Sequence, residues 1–191
     1  MENGKKQDKH IISILVEDKV GALQRIASVF SKRGFNMDSI TVGRTETEGL
    51  SRMTIVTNGT EGKIEQMIKQ LHKVIDIIKV SELSQEDCVV REIALFKVHV
   101  KDINVRSELM NYINIFRGRV VDVSSTSMMV EITGTPDKVD AFADLIKPFG
   151  VKEFVRTGIT ALSRSGKEKA AAPETHAGGS RIGENVKVDW G

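Results

Sequence analysis

The stretch with most capacity for chemistry is Glu17-Asp18-Lys19-Val20-Gly21-Ala22-Leu23, where an apolar run over residues 11–16 stops at charged residues and a helical periodicity begins at a glycine. Backbone amides at a strand-to-helix turn point outward without internal partners, and the helix dipole adds partial positive charge, so a small carboxylate could dock there. Gly21 would leave room for it. A turn by itself also accounts for a lone glycine after a strand, so both readings stay open on these residues alone. Little else in the chain offers chemistry. His10, His72, His99 and His176 fall at spacings that build no metal site. Glu17 with Asp18, and Glu86 with Asp87, are adjacent rather than facing carboxylates, the pattern of solvated charge and not of an acid and base couple. Cys88 sits beside Val89 and Val90 with no nearby histidine, and reads as a small, semi-buried side chain. Neither a G-x-x-x-x-G-K phosphate loop nor a G-x-G-x-x-G dinucleotide turn occurs, and no nucleophile stands beside a base.

Composition narrows the class further. The 28 basic and 26 acidic residues leave a formal net charge of +2, which gives no global attraction to nucleic acid or an anionic membrane. A single cysteine rules out an internal disulfide framework and fits a reducing compartment. No apolar run approaches ~18 residues, and residues 1–10 are polar and Lys-rich rather than a secretory signal. The expectation is a cytoplasmic protein with no membrane segment. With 191 residues, two small domains fit the chain, and pairing with another chain is one remedy for small cores.

Several elements are needed to position the turn. Residues 11–16 are β-branched and short, as a covered strand should be. Leu23, Ile26, Ala27 and Phe30 then fall at i, i+3, i+4 and i+7, one helix face, with Gly34 as its C-terminal stop. Residues 38–45 and 50–57 read as a hairpin around Glu46-Thr47-Glu48-Gly49. Thr60 can cap a second helix with Ile64, Met67, Ile68 and Leu71 inward, and residues 74–83 form a last strand. The order β-α-β-β-α-β is a ferredoxin-like unit with both helices on one face of a four-stranded sheet. Its other face is bare, so apolar residues there require a second copy or a second domain as cover.

After the polar break Ser84-Gln85-Glu86-Asp87 the plan repeats. Residues 93–100 are a strand, and Asn104 caps a helix with Leu109, Tyr112, Ile113 and Phe116 inward. Residues 119–124 and 128–133 form a hairpin, Thr135-Pro136 starts a helix, and residues 151–162 form one final strand. The expected fold is α+β: two tandem ferredoxin-like βαββαβ units, domains at 10–84 and 88–164, followed by a flexible tail over 165–191 rich in Ala, Gly and charge. The same strand order serves RNA-recognition domains, which stack bases on aromatics of the central strands. Residues 11–16 and 51–57 contain no aromatic, so no nucleic-acid partner is expected.

Val16-Glu17-Asp18 before Gly21-Ala22-Leu23, with Arg33-Gly34-Phe35-Asn36 after it, resembles an ACT domain, the amino-acid-sensing module of metabolic enzymes. Leu50-Ser51-Arg52-Met53-Thr54-Ile55-Val56, Gln70-Leu71-His72-Lys73, Val80-Ser81-Glu82-Leu83, Arg91-Glu92-Ile93, Phe116-Arg117-Gly118-Arg119-Val120-Val121-Asp122-Val123 and Thr157-Gly158-Ile159-Thr160-Ala161-Leu162-Ser163-Arg164 follow in the order of the small, regulatory subunits of acetolactate synthase (acetohydroxyacid synthase). The resemblance spans both units, from about Ile11 to Arg164, and leaves out the tail.

The resemblance implies a non-catalytic protein that binds a thiamine-diphosphate-dependent large subunit, raises its activity and transmits feedback inhibition by a branched-chain amino acid, usually valine. This chain would hold no cofactor; thiamine diphosphate, magnesium and FAD would belong to the catalytic partner. The chain would form a homodimer through its ACT domains. The effector would lie between two of them, held by Asp18, Val20, Gly21, Ala22 and Leu23 of one copy and by Asn36, Met37 and Ile40 at the start of the second strand of the other. Amides and dipole suit the carboxylate, and Leu23, Met37 and Ile40 can line an aliphatic pocket. Asp18 stands where the family commonly has asparagine, and Val20 where proline often precedes the glycine; the added charge and the freer turn both bear on effector identity and affinity. A stand-alone ACT sensor acting on another target is the alternative, and a small enzyme on a ferredoxin-like scaffold is a third reading.

Overall fold

The computed structural model describes residues 8–84 and 86–165. Apart from Ser165, the tail expected over 165–191 lies outside the described residues. In the first unit the order is β1 (Asp8–Glu17), α1 (Ala22–Lys32), β2 (Met37–Arg44), β3 (Leu50–Gly59), α2 (Glu61–Leu71) and β4 (Ile77–Leu83). These strands make a four-stranded antiparallel sheet in the order β2-β3-β1-β4. Ile12, Ile14 and Val16 of β1 and Met53 and Ile55 of β3 point to one face, where Ile26 and Phe30 of α1 and Ile64, Met67 and Leu71 of α2 close over them. The α1 stripe differs from its sequence reading by one position. Ala22, not Leu23, is buried with Ile26 and Phe30, and Leu23 is left half exposed. Gly34 (φ 70°) ends α1, and the Phe35 amide donates back to the Phe30 carbonyl at 3.0 Å, the six-to-one bond of a Schellman stop.

The second unit runs β5 (Cys88–His99), α3 (Ile103–Ile115), β6 (Arg119–Val123), β7 (Ser127–Gly134), α4 (Pro136–Ile146), β8 (Val151–Arg156) and β9 (Thr160–Ser163). Its sheet follows β6-β7-β5-β8. Phe142 of α4 packs edge-on against Phe96 of β5 at 5.2 Å and Phe116 at 5.3 Å, in a core completed by Val98, Leu109, Val130 and Ile132.

Two expectations for this unit change. The cap of α3 is Asp102, whose carboxylate accepts from the Asn104 and Val105 amides at 2.9 Å each; Asn104 is already inside the helix. The span 151–162 is not one strand. It breaks at Gly158 (φ 84°), and β9 carries on in the same direction along β5 as a separate strand paired with its first residues, Cys88↔Ser163 through Arg91↔Thr160.

That break supplies the cover that the first sheet needs. Ile11 and Val56, on the face away from the helices, pack with Ile159 and Ala161, flanked by Leu83 and Val90. Polar contacts fix the join: Thr41 Oγ1 donates to the Ile159 carbonyl at 2.8 Å, the Ile159 amide donates to Ser39 Oγ at 3.0 Å, and the Ala161 amide reaches Thr54 Oγ1 at 3.4 Å. Gly158 is packed so closely that a methyl group there would meet Ser39 Oγ at 2.5 Å. No helix among the described residues is long and apolar enough to cross a membrane.

Candidate functional site

The turn between β1 and α1 is held from both sides. Asp18 donates its amide to the Gly49 carbonyl at 2.8 Å and the Glu17 amide donates to the Asp76 carbonyl at 2.9 Å, so the hairpin and the start of β4 clamp the end of β1. The chain then folds tightly, with the Lys19 amide on the Glu17 carbonyl at 2.8 Å and the Ala22 amide on the Lys19 carbonyl at 3.2 Å. Gly21 is the N-cap of α1 at φ 86°, a conformation that L side chains avoid, and it supplies no side-chain cap. Among the hydrogen bonds of the described residues, none uses the amides of Val20, Gly21, Leu23 or Gln24. These four orphan donors at a helix N-terminus are what a carboxylate needs.

The charges around the turn come from residues the sequence motif did not single out. Arg25, one helical turn beyond Gly21, pairs through Nε with the buried carboxylate of Asp76, and its Nη2 lies 3.5 Å from the Val20 carbonyl. Arg44, at the end of β2, reaches Asp18 Oδ2 at 3.3 Å, both groups being open to solvent. Their signal was faint because each contact joins residues distant in sequence.

The eight expected site residues do not form one pocket within a single chain. Asp18, Val20, Gly21, Ala22 and Leu23 cluster at the turn, but Ala22 sends its methyl into the core and spends its amide on Lys19, so it presents nothing outward. Val20 is fully exposed and Leu23 half so. Asn36, Met37 and Ile40 lie toward the other end of the sheet. Met37 is level with Thr57 and His10, whereas the turn follows Glu17, level with Leu50. Seven residues of β3 separate those levels, about 23 Å at ~3.3 Å per residue. Asn36 is exposed and bonds Asp38 Oδ1 at 3.1 Å, Met37 packs at the edge of the core, and Ile40 is partly open on the edge strand β2.

Elsewhere the chemistry stays thin. Among the described residues no group of three or more His, Cys, Asp or Glu could hold a metal ion. Cys88 is buried, and burial pushes its thiol up, with Arg164 opposing the shift. At neutral pH it is a protonated thiol rather than a nucleophile.

Comparison with known proteins bears directly on these features. Residues 12–79 match the model described as the AHAS small subunit-like ACT domain, and residues 91–165 match that of the small subunit of acetolactate synthase. A probable acetolactate synthase small subunit of Methanothermobacter thermautotrophicus is 52% identical over 160 residues, 84% of this chain and 95% of its own length. The acetolactate synthase small subunit of Bacillus subtilis is 45% identical over 168 residues, covering 87% and 97%. The crystal structure of the Thermotoga maritima small subunit superposes with a TM-score of 0.77 at 42% identity, over 82% of this chain and 98% of that one. Two ferredoxin-like units in tandem, an ACT turn with orphan amides and matches along both units place this chain in the family of acetolactate synthase small subunits.

Proposed function

We propose that this chain is the regulatory subunit of an acetolactate synthase: it carries no catalytic residue, activates a thiamine-diphosphate-dependent large subunit, and conveys feedback inhibition by a branched-chain amino acid, with valine the first candidate. Thiamine diphosphate, magnesium and FAD belong to that partner chain, and the complex is cytoplasmic. The observation that carries the reading is the separation of the two half-sites. Antiparallel pairing of two β2 edges about a two-fold axis sets the start of one β2 beside the end of the other. Asn36, Met37 and Ile40 of a second copy then approach the turn of the first. The orphan amides take the effector's carboxylate, and Leu23 with the partner's Met37 and Ile40 encloses its alkyl group.

Reconstitution tests this. The purified chain is expected to form no acetolactate from pyruvate with thiamine diphosphate and magnesium, to raise the rate of its cognate large subunit, and to make that rate valine-sensitive. Turnover by the chain alone would overturn the non-catalytic reading. An unaltered large-subunit rate would favour a stand-alone amino-acid sensor with another target.

A further inference from the structure

The two units meet along the β9 seam, and beside the seam lies a cleft of about 280 Å³ that neither unit forms alone. The first unit contributes Lys9 and Ile11, and the second contributes Val90, Arg91, Ile159 and Arg164. Ile11 and Ile159 are core residues of the seam, so the floor is apolar. Lys9, Arg91 and Arg164 stand at its sides, and none of them is in an ion pair among the described residues. Arg91 spends one Nη1 contact on its neighbour's Val90 carbonyl at 2.7 Å. Asp137 is the one carboxylate on the lining, in the first turn of α4, which opens onto the cleft with Thr135 providing no side-chain cap.

Three cations on the lining outnumber Asp137 on it and Asp87 beside Cys88, a balance that favours an anion and opposes an ammonium group. The apolar floor rewards a ligand with a hydrocarbon body, which a bare inorganic anion lacks. The cleft, at about 280 Å³, admits a small branched acid. We propose that this inter-unit cleft binds a small carboxylate with an apolar body and no ammonium group. Such a ligand touches both units at once, and it presses on Ile159, whose backbone is bonded to Ser39 and Thr41 of β2.

Methyl NMR on the full chain, with isoleucine δ1 methyls labelled, reads this site separately from the β1–α1 turn. Ile11 and Ile159 report the cleft, and Ile40 reports β2. The probes are 4-methylpentanoate, leucine, which has the same skeleton with an ammonium group, and inorganic phosphate. Saturable shifts of Ile11 and Ile159 with 4-methylpentanoate, much weaker with leucine or phosphate at equal concentration, are expected. Arg164→Gln and Lys9→Gln, which break no ion pair among the described residues, should each weaken the response about tenfold, as the loss of one charge-assisted contact does. Absence of saturable shifts, an equal response to phosphate or leucine, or undiminished affinity in both variants would overturn the proposal.

Discussion

Gly21 is explained by its backbone before any ligand is considered. At φ 86°, with Arg25 Nη1 only 3.0 Å from where a methyl group would stand, Gly21→Ala is strained by about 1–2 kcal/mol whether or not the turn binds an effector. The sharper probe is Asp18. Its carboxylate is open to solvent and held by Arg44, an exposed pair worth roughly 0.2–1 kcal/mol, so Asp18→Asn leaves the fold intact. The substitution also removes a negative charge from beside the orphan amides and frees the Arg44 guanidinium. Valine is expected to bind up to about fivefold tighter to Asp18→Asn, measured by calorimetric titration. Weaker binding would assign Asp18 to the effector's ammonium group instead.

At the scale of elements, the decisive feature is the break between β8 and β9. Gly158 combines a positive φ with contact against Ser39, and the residue after it exchanges hydrogen bonds with β2 in both directions. Gly158→Ala is expected to cost at least the ~1–2 kcal/mol of left-handed strain, and more as Ser39 is displaced. The loss should appear as a lower denaturation midpoint together with faster proteolysis near Arg156 and Arg164, because the β9 seam opens before either core does. A midpoint unchanged from that of the parent chain would mean that the seam contributes nothing to cohesion of the units.

At the scale of the whole molecule, β2 is an edge strand with a free side, and it presents Ile40 and Val42 partly exposed. Exposed apolar edges are templates for pairing. Val42→Lys places a charge on that edge, outside the proposed effector contacts. On the proposed pairing of β2 edges, it is expected to shift the chain from dimer to monomer in sedimentation, with an unchanged circular dichroism spectrum, and to abolish the proposed valine sensitivity of the reconstituted complex. A Val42→Lys dimer that keeps its valine response would move the interface elsewhere.

What the sequence determined by itself was set by local periodicity. The β-branched apolar run of β1, the alternation along β7, the helical stripes of α2 and α4, the Gly34 stop and the Thr135-Pro136 start are each written in a few neighbouring residues. The β1–α1 turn was legible for the same reason, since a strand end, a glycine and a helix start follow one another directly. Tertiary structure decided everything that depends on residues far apart. Leu23 left the stripe because α1 rotates to bury Ala22. Asp102 took the cap from Asn104 because its extended backbone, preceding the helix, aims its carboxylate at the first free amides. The span 151–162 continued as a strand by its apolar content, yet only contact with Ser39 and Thr41, more than a hundred residues earlier, rewards breaking it at Gly158. The same rule governs the sites. The amides of the turn follow from neighbours in sequence, whereas the Arg25–Asp76 pair, the cover over Ile11 and Val56 and the cationic cleft follow from packing between elements, which no local pattern encodes.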